Sequence, residues 1–202
     1  MSSRSRSLGC AFSWDGVQHC FRPRVDGWGQ SSVPGILIAG DGAGIGGARA
    51  AEFSGRIAAA EVLRQVGRVG ADARDAMAAT DLRARAAHLA IRPFLDRLYA
   101  PPAWVTRPAD ETVICRCEEI TAGAVRAVVR QGCQGPNQAK SFLRVGMGPC
   151  QGRMCGPVVS EVLAQARGVE LSGEDYFRVR PPFTPITVAA LAGLASKPAA
   201  GG

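Results

Sequence analysis

Four cysteines in two close pairs are the residues of this 202-residue chain whose type and spacing best suit chemistry. Cys115 and Cys117 stand in C-R-C, and Cys150 and Cys155 stand in G-M-G-P-C-Q-G-R-M-C-G. The segment between the pairs has room for two short helices. Thiolates are soft ligands that select zinc, cuprous copper or iron–sulfur clusters, so the pattern predicts a four-thiolate metal site. Structural zinc sites commonly use C-x2–4-C in both halves, and the single residue between Cys115 and Cys117 departs from that. The two common iron–sulfur spacings do not fit either. Spacing alone leaves a cluster, zinc and a disulfide pair open, with iron–sulfur slightly preferred.

The surrounding residues say more. C-R-C-E-E-I-T, then G-P-N-Q-A-K, then R-V-G-M-G-P-C-Q-G-R-M-C-G resemble the bacterioferritin-associated-ferredoxin-like 2Fe–2S domain, in the form fused to the flavoprotein subunit of opine oxidases and hydrogen cyanide synthases. The resemblance covers about residues 111–168 and includes many non-cysteine positions. It implies a 2Fe–2S cluster with Cys115, Cys117, Cys150 and Cys155 as ligands. Cys150 and Cys155 precede a predicted helix, whose first amides and dipole favour negative charge. Gly146, Gly148 and Gly152 would let main-chain amides approach the sulfurs, a lever on reduction potential. Arg116, Lys140, Arg144 and Arg153 either add positive field there or are ordinary surface charge. Cys133, Cys10 and Cys20 are expected to be buried thiols.

A second motif lies upstream. The apolar run Val33 to Ala39 predicts a strand buried on both faces. It leads into Gly40-Asp41-Gly42-Ala43-Gly44-Ile45-Gly46-Gly47 and then a helix with Ala48, Ala51, Gly55, Ala59, Val62 and Val66 along one face. Strand, Gly-rich turn and small-faced helix follow the pattern of a nucleotide-binding α/β unit, although the turn is not G-x-G-x-x-G in its usual register. With S-S-V-P-G-I-L-I-A-G-D before it, the stretch resembles the second FAD motif of two-dinucleotide-domain flavoprotein reductases. That resemblance implies Gly40, Asp41, Gly42, Gly46 and Gly47 as FAD-binding residues. Asp41 would bond a ribityl hydroxyl, and amides near Gly46 and Gly47 would lie near the flavin or its pyrophosphate. This sequence carries neither the first FAD motif nor the nicotinamide-binding domain of that family. The expected FAD site is therefore partial, shared with a partner or lost, and the chain is expected to be a truncation, a split subunit or a decayed gene product.

The elements that must position these residues follow from punctuation and periodicity. Residues 8–32, with Asp15-Gly16, Pro23 and Asp26-Gly27, predict short strands and turns. Gly67 to Gly70 ends the first helix. A second helical stretch runs from Asp72 to Tyr99, with Ala84, Ala87, Ile91, Leu95 and Leu98 on one face and a break at Pro93. Pro101, Pro102 and Pro108 mark a linker. A short strand from Thr112 to Ile114 precedes C-R-C. Thr121 is a good N-cap for a helix to Gln131, and Pro136 suits the first residue of a helix to Val145. The last helix is predicted from Pro157 to Arg167, with Val159, Val162 and Ala166 inward. An extended tail, Arg178 to Pro185, is expected to lie across a neighbouring surface. The fold class is thus an α/β fragment of an FAD-binding fold (1–68), a helical connector and linker (69–108), a small mainly α 2Fe–2S domain (109–170) and a tail (171–202).

Composition bounds the function. A 47% hydrophobic content permits an ordinary core, and no run of 18 apolar residues offers a membrane-spanning helix. Leu8-Gly9-Cys10 superficially resembles a lipoprotein cleavage site, but Ser and Arg fill the place of a signal core, so a cytoplasmic chain is expected. Seven cysteines, an odd number irregularly spread, do not suggest a disulfide scaffold. The net charge of +7 comes mostly from Arg mixed with Asp and Glu, with only 6% aromatics. That favours a solvated helix face or docking to an acidic partner over nucleic-acid binding. His19 and His88 are isolated and expected to be non-catalytic. The functional expectation is an electron-transfer component of a flavin-dependent oxidoreductase acting on amines, amino acids or opines. It would have flavoprotein partner subunits and no complete active site of its own. A stand-alone ferredoxin-like interaction module and a zinc-stabilised structural module are the alternatives.

Overall fold

A short helix and an antiparallel hairpin come first in the chain. The computed structural model describes residues 3–180, 182 and 186–194. After a short helix α1 (Ser3–Ser7), strand β1 (Phe12–Asp15) pairs with β2 (Cys20–Pro23), Phe12 opposite Pro23 and Asp15 opposite Cys20. The Asp15 carboxylate closes the turn by accepting from the amides of Val17 and Gln18, both at 3.0 Å. Phe12 and Phe21 point inward and are buried.

Residues 33–39 do not form the predicted strand. They run as a half-buried connector that touches a ladder through one bridge, from Leu37 to Gln30. A strand buried on both faces needs parallel neighbours and a helix on each side. Among the described residues both sheets are two-stranded and antiparallel, so those layers are missing and the expected α/β unit is not formed. Val33, Ile36 and Ile38 pack instead against the main core.

A single 3-10 turn (Gly40–Gly42) leads to α2 (Ala48–Gln65), which folds back on α3 (Ala71–Leu89). Ion pairs Arg56–Asp81 at 2.9 Å and Arg74–Glu61 at 2.7 Å fix the antiparallel register. The faces differ from expectation. The small-residue stripe is not the packed face: Gly55, Ala59, Val62 and Val66 are exposed, and Ala50, Ile57, Ala58, Ala60 and Glu61 are buried. Ile57 exceeds Val62 and Val66 of the stripe by only about one methylene, but it is the residue that meets Ala60, Ala78, Trp28 and Leu82 in a shared core. Likewise Ala78 and Leu82, not Ala84 and Ala87, are the inner residues of α3. The chain breaks before α4 (Arg92–Leu98), which takes Pro93 into its first turn where no amide is needed. That break leaves Ile91 and Leu98 exposed. A short α5 (Ala103–Thr106) interrupts the proline linker.

The cysteine module follows. Strands β3 (Val113–Cys115) and β4 (Ile120–Thr121) pair across the C-R-C turn. Thr121 caps α6 (Ala122–Arg130), its hydroxyl accepting from the Ala124 amide at 3.2 Å. Helix α7 (Pro136–Leu143) starts on Pro136, and α8 (Gly156–Arg167) follows the second cysteine pair. Val159 and Val162 are buried as expected, but Ala166 is exposed and Leu163 and Ala164 are turned in instead. The core joins Val125, Val128, Val145, Val159 and Leu163 to Phe12 and Phe21 of the hairpin and to Tyr176 and Phe177 beyond α8. The described residues of the stretch expected to be extended, 178–180 and 182, lie in no helix or strand, and a short α9 (Val188–Leu194) stands beyond it. Pro181 and Phe183 to Pro185 lie outside the described residues. No described helix is long and apolar enough to cross a membrane.

Candidate metal centre

Local structure brings the two cysteine pairs to one end of the module. Cys115 ends β3, and Cys117 sits in the turn before β4, where Glu119 adopts a positive φ of 54°. The second pair lies on a glycine-rich loop between α7, which ends at a left-handed Arg144, and the first turn of α8. Cys115 and Cys155 are buried, Cys150 is half-buried and Cys117 is exposed. Cys155 has Cys115 as its nearest thiol neighbour and also feels Cys150, which in turn bonds with Cys117. Gly148 permits this approach, because a Cβ there would overlap the Cβ of Cys117. Among the described residues no group of three or more His, Cys, Asp or Glu side chains is arranged to hold a single metal ion. A two-iron cluster takes four thiolates, two on each iron, and these four cysteines supply that number.

The electrostatics fit a group that brings positive charge. Burial, and then its neighbour Cys115, push the Cys155 thiol up to about 12. That thiol stays protonated at neutral pH unless a metal takes the place of its proton. Cys150 behaves oppositely. Burial raises its pKa, but hydrogen bonds from the Met154, Gly152 and Arg153 amides and from Cys117 outweigh burial and bring the net shift down. A sulfur inside such a cradle of N–H groups is prepared to carry negative charge.

Two further residues, missed in the sequence, close this loop. The Tyr176 hydroxyl donates to the Gly152 carbonyl at 3.1 Å, and its ring fills the space where Gly156 has no side chain. The Phe177 ring lies 2.5 Å from where a Cβ would stand on Gly146 or on Gly152, both at positive φ. Asn137, of the G-P-N-Q motif, holds this strap at both ends. Its Nδ2 donates to the Tyr176 carbonyl at 3.2 Å, and its Oδ1 accepts from the Arg178 amide at 2.9 Å. Arg6 stacks over Phe12 and Tyr176, 4.0 and 5.1 Å from the ring centres, and donates to the Gly173 carbonyl at 3.0 Å. The only signal in the sequence was the repeated glycine of this loop, which says that something large packs on it but not what.

The other cysteines stand apart from the quartet. Cys133 is fully buried and its thiol donates to the Gly135 carbonyl at 3.4 Å. Cys10 is buried against Ser31, whereas Cys20 is only half-buried. Of the basic residues, Arg116 and Arg153 are exposed, Arg144 pairs with Glu118 at 3.1 Å, and Lys140 lies over the Phe177 ring at 4.9 Å. His19 contacts Glu161 at 2.8 Å, and His88 stacks on Phe53 at 5.5 Å between ring centres.

The glycine-rich turn lines a separate cavity of about 610 Å³. Gly40, Asp41 and Gly46 are in its lining, together with Arg22, Arg85 and Arg92; Gly42 and Gly47 are not. The Asp41 carboxylate accepts from the amides of Gly46 and Gly47 at 2.9 and 3.0 Å. Both bonds end on Oδ1, so the two amides are engaged by Asp41 while its Oδ2 remains a further acceptor.

Comparison with known proteins bears on both regions. Residues 113–165, which contain all four cysteines, match the family described as the BFD-like [2Fe-2S] binding domain. The chain is 46% identical over 94% of its length to an opine oxidase subunit of Rhizobium meliloti (strain 1021), covering 41% of that protein. It is 42% identical over 96% of its length to an opine oxidase subunit of Agrobacterium tumefaciens (strain Ach5), covering 39%. It is also 39% identical over 93% of its length to hydrogen cyanide synthase subunit HcnB of Pseudomonas protegens, again covering 39%. The chain spans about two fifths of the length of these relatives. No solved structure matches it.

Proposed function

We propose that this chain is an electron-transfer component of a flavin-associated oxidoreductase acting on amines, amino acids or opines, and that Cys115, Cys117, Cys150 and Cys155 hold a 2Fe–2S cluster. The observation that carries the reading is the gathering of four cysteines at one end of the module, Cys115 and Cys155 buried, Cys150 half-buried with amides turned towards it, and Cys117 exposed. The match of residues 113–165 to a 2Fe–2S-binding family and the similarity to subunits of two oxidoreductases support it. When bound, such a cluster supplies reversible one-electron chemistry.

The chain's own residues then have defined tasks. Cys115 and Cys155 anchor the cluster in a dry interior, while Cys117 and Cys150 face the surface, where the distance to a redox partner is shortest. The amides of Gly152, Arg153 and Met154 stabilise negative charge on the Cys150 sulfur and so raise the reduction potential. Substrate oxidation and the flavin belong to partner subunits on this reading. The Gly40–Gly47 turn contributes at most a piece of an FAD site whose other half lies elsewhere.

Purified protein should be brown and contain about two irons and two sulfides per chain. Cys150→Ser should bleach it, and Cys133→Ser should not. A colourless protein with a single bound zinc would overturn the assignment.

A further inference from the structure

A cavity of about 650 Å³ opens beside the second cysteine loop. Among the described residues five cations line it: Lys140 and Arg144 at the end of α7, Arg153 between the two cysteines, Arg178 at the end of the strap and Arg180 just beyond it. No described carboxylate lies in this lining. Glu118 pairs with Arg144 from outside it. Lys140 rests on a backbone carbonyl, that of Arg178 at 3.4 Å, and on the Phe177 ring. Burial, and then repulsion from Arg180, lower the pKa of Lys140. Like charges gathered on a concave surface raise the local concentration of anions and steer them in.

The apolar side chains here have the character of a contact surface. Met147 lines the same cavity and is 50% exposed, and Met154, beside Arg153, is 77% exposed. Protein interfaces are enriched in Met and Arg and depleted in Lys and acidic residues. The exposed Cys117, on the C-R-C turn, touches this loop at Gly148.

We infer that this basic mouth, built by Lys140, Arg144, Arg153, Arg178 and Arg180 around Met147, is the docking surface for an acidic electron-transfer protein. The inference rests on the cluster reading, since it names the partner face of that site. Charge complementarity selects the partner: a surface bearing carboxylates meets the cations, and the methionines fill gaps at the contact. Docking there brings the partner over the loop that carries Cys150 and Cys155.

The test uses an acidic flavodoxin as the probe and basic cytochrome c as the control, each titrated against the whole chain. Flavodoxin should bind at about 20 mM salt and weaken at least about tenfold by about 300 mM, as screening shortens to about 6 Å. The double variant Arg178→Glu/Arg180→Glu reverses two exposed charges, and Lys140→Gln removes a third. Each should weaken flavodoxin binding by about tenfold or more while leaving the visible spectrum unchanged. Cytochrome c should not bind the wild type. Absence of flavodoxin binding at low salt, or binding indifferent to the charge reversals, overturns the docking surface. The cluster reading fails separately, through a colourless protein, whatever the titration gives.

Discussion

At the residue scale, the metal centre depends on side chains that are absent as much as on those present. Gly152 has a φ of +76°, and a Cβ there would stand 2.5 Å from Phe177. A left-handed alanine costs about 1–2 kcal/mol, and displacing a buried ring adds to that. Gly152→Ala should therefore destabilise the protein by about 2 kcal/mol or more and lower cluster occupancy, read from urea midpoints and visible absorption. Tyr176→Phe is gentler. It leaves the Gly152 carbonyl without its buried donor, at about 1 kcal/mol. The spectrum should persist, while bleaching in a chelator should be faster than in wild type. A Phe variant that bleaches at the wild-type rate would show that the strap does not guard the loop. The cysteines themselves were legible because thiol pairs have few bland uses. Tyr176 and Phe177 were not, because no local pattern ties residues of the tail to a loop some two dozen positions earlier.

At the scale of elements, legibility followed how local the cause was. Thr121 as a cap and Pro136 as a first helical residue act within one turn of themselves, and both stand where the sequence put them. The apolar run 33–39 failed as a strand because its burial depended on layers the run does not encode. The face of α2 was misread because alanine and glycine give a weak periodic contrast, and one isoleucine decided the packing. The α2–α3 hairpin depends instead on Glu61, a buried carboxylate held by Arg64 at 2.6 Å and Arg74 at 2.7 Å, with Gln65 beside it. The Arg64 bond first, and then those of Arg74 and Gln65, hold its pKa far below the usual carboxylate range against the opposing effect of burial. A depressed folded-state pKa contributes stability above the unfolded value of about 4.3 and loses it as pH falls below that. Glu61→Gln should lower Tm by roughly 2–4 °C at pH 7. The gap between variant and wild type should narrow below about pH 4, and a constant gap across that range would contradict the role given to the ion pairs.

At the scale of the whole molecule, the two hydrophobic cores are unequal, and stability should follow that inequality. The core of the cysteine module gathers residues from α6, α7 and α8, the β1–β2 hairpin and the Tyr176-Phe177 strap. The core of the α2–α3 hairpin has only Ile57, Ala60 and Ala78 among the described residues, with Trp28 and Leu82 against them. Burial of apolar area is the main favourable term in folding, so the hairpin has little holding it beyond ion pairs at its rim. Its outer surface also leaves Val62, Val66, Met77, Leu89 and Ile91 exposed. Regions with few buried apolar contacts open well below the global unfolding free energy. Hydrogen exchange followed by mass spectrometry should show the amides of α3 and α4 exchanging first and those of α6 and α8 last. Loading iron and sulfide should slow exchange in the loop 146–156, the C-R-C turn and the strap 172–178, because a ligand that binds only the folded module stabilises what encloses it. It should leave α3 unchanged, since the cysteine loops and α3 bury their side chains in separate cores. Protection of α3 on loading would mean that the two cores open as one unit.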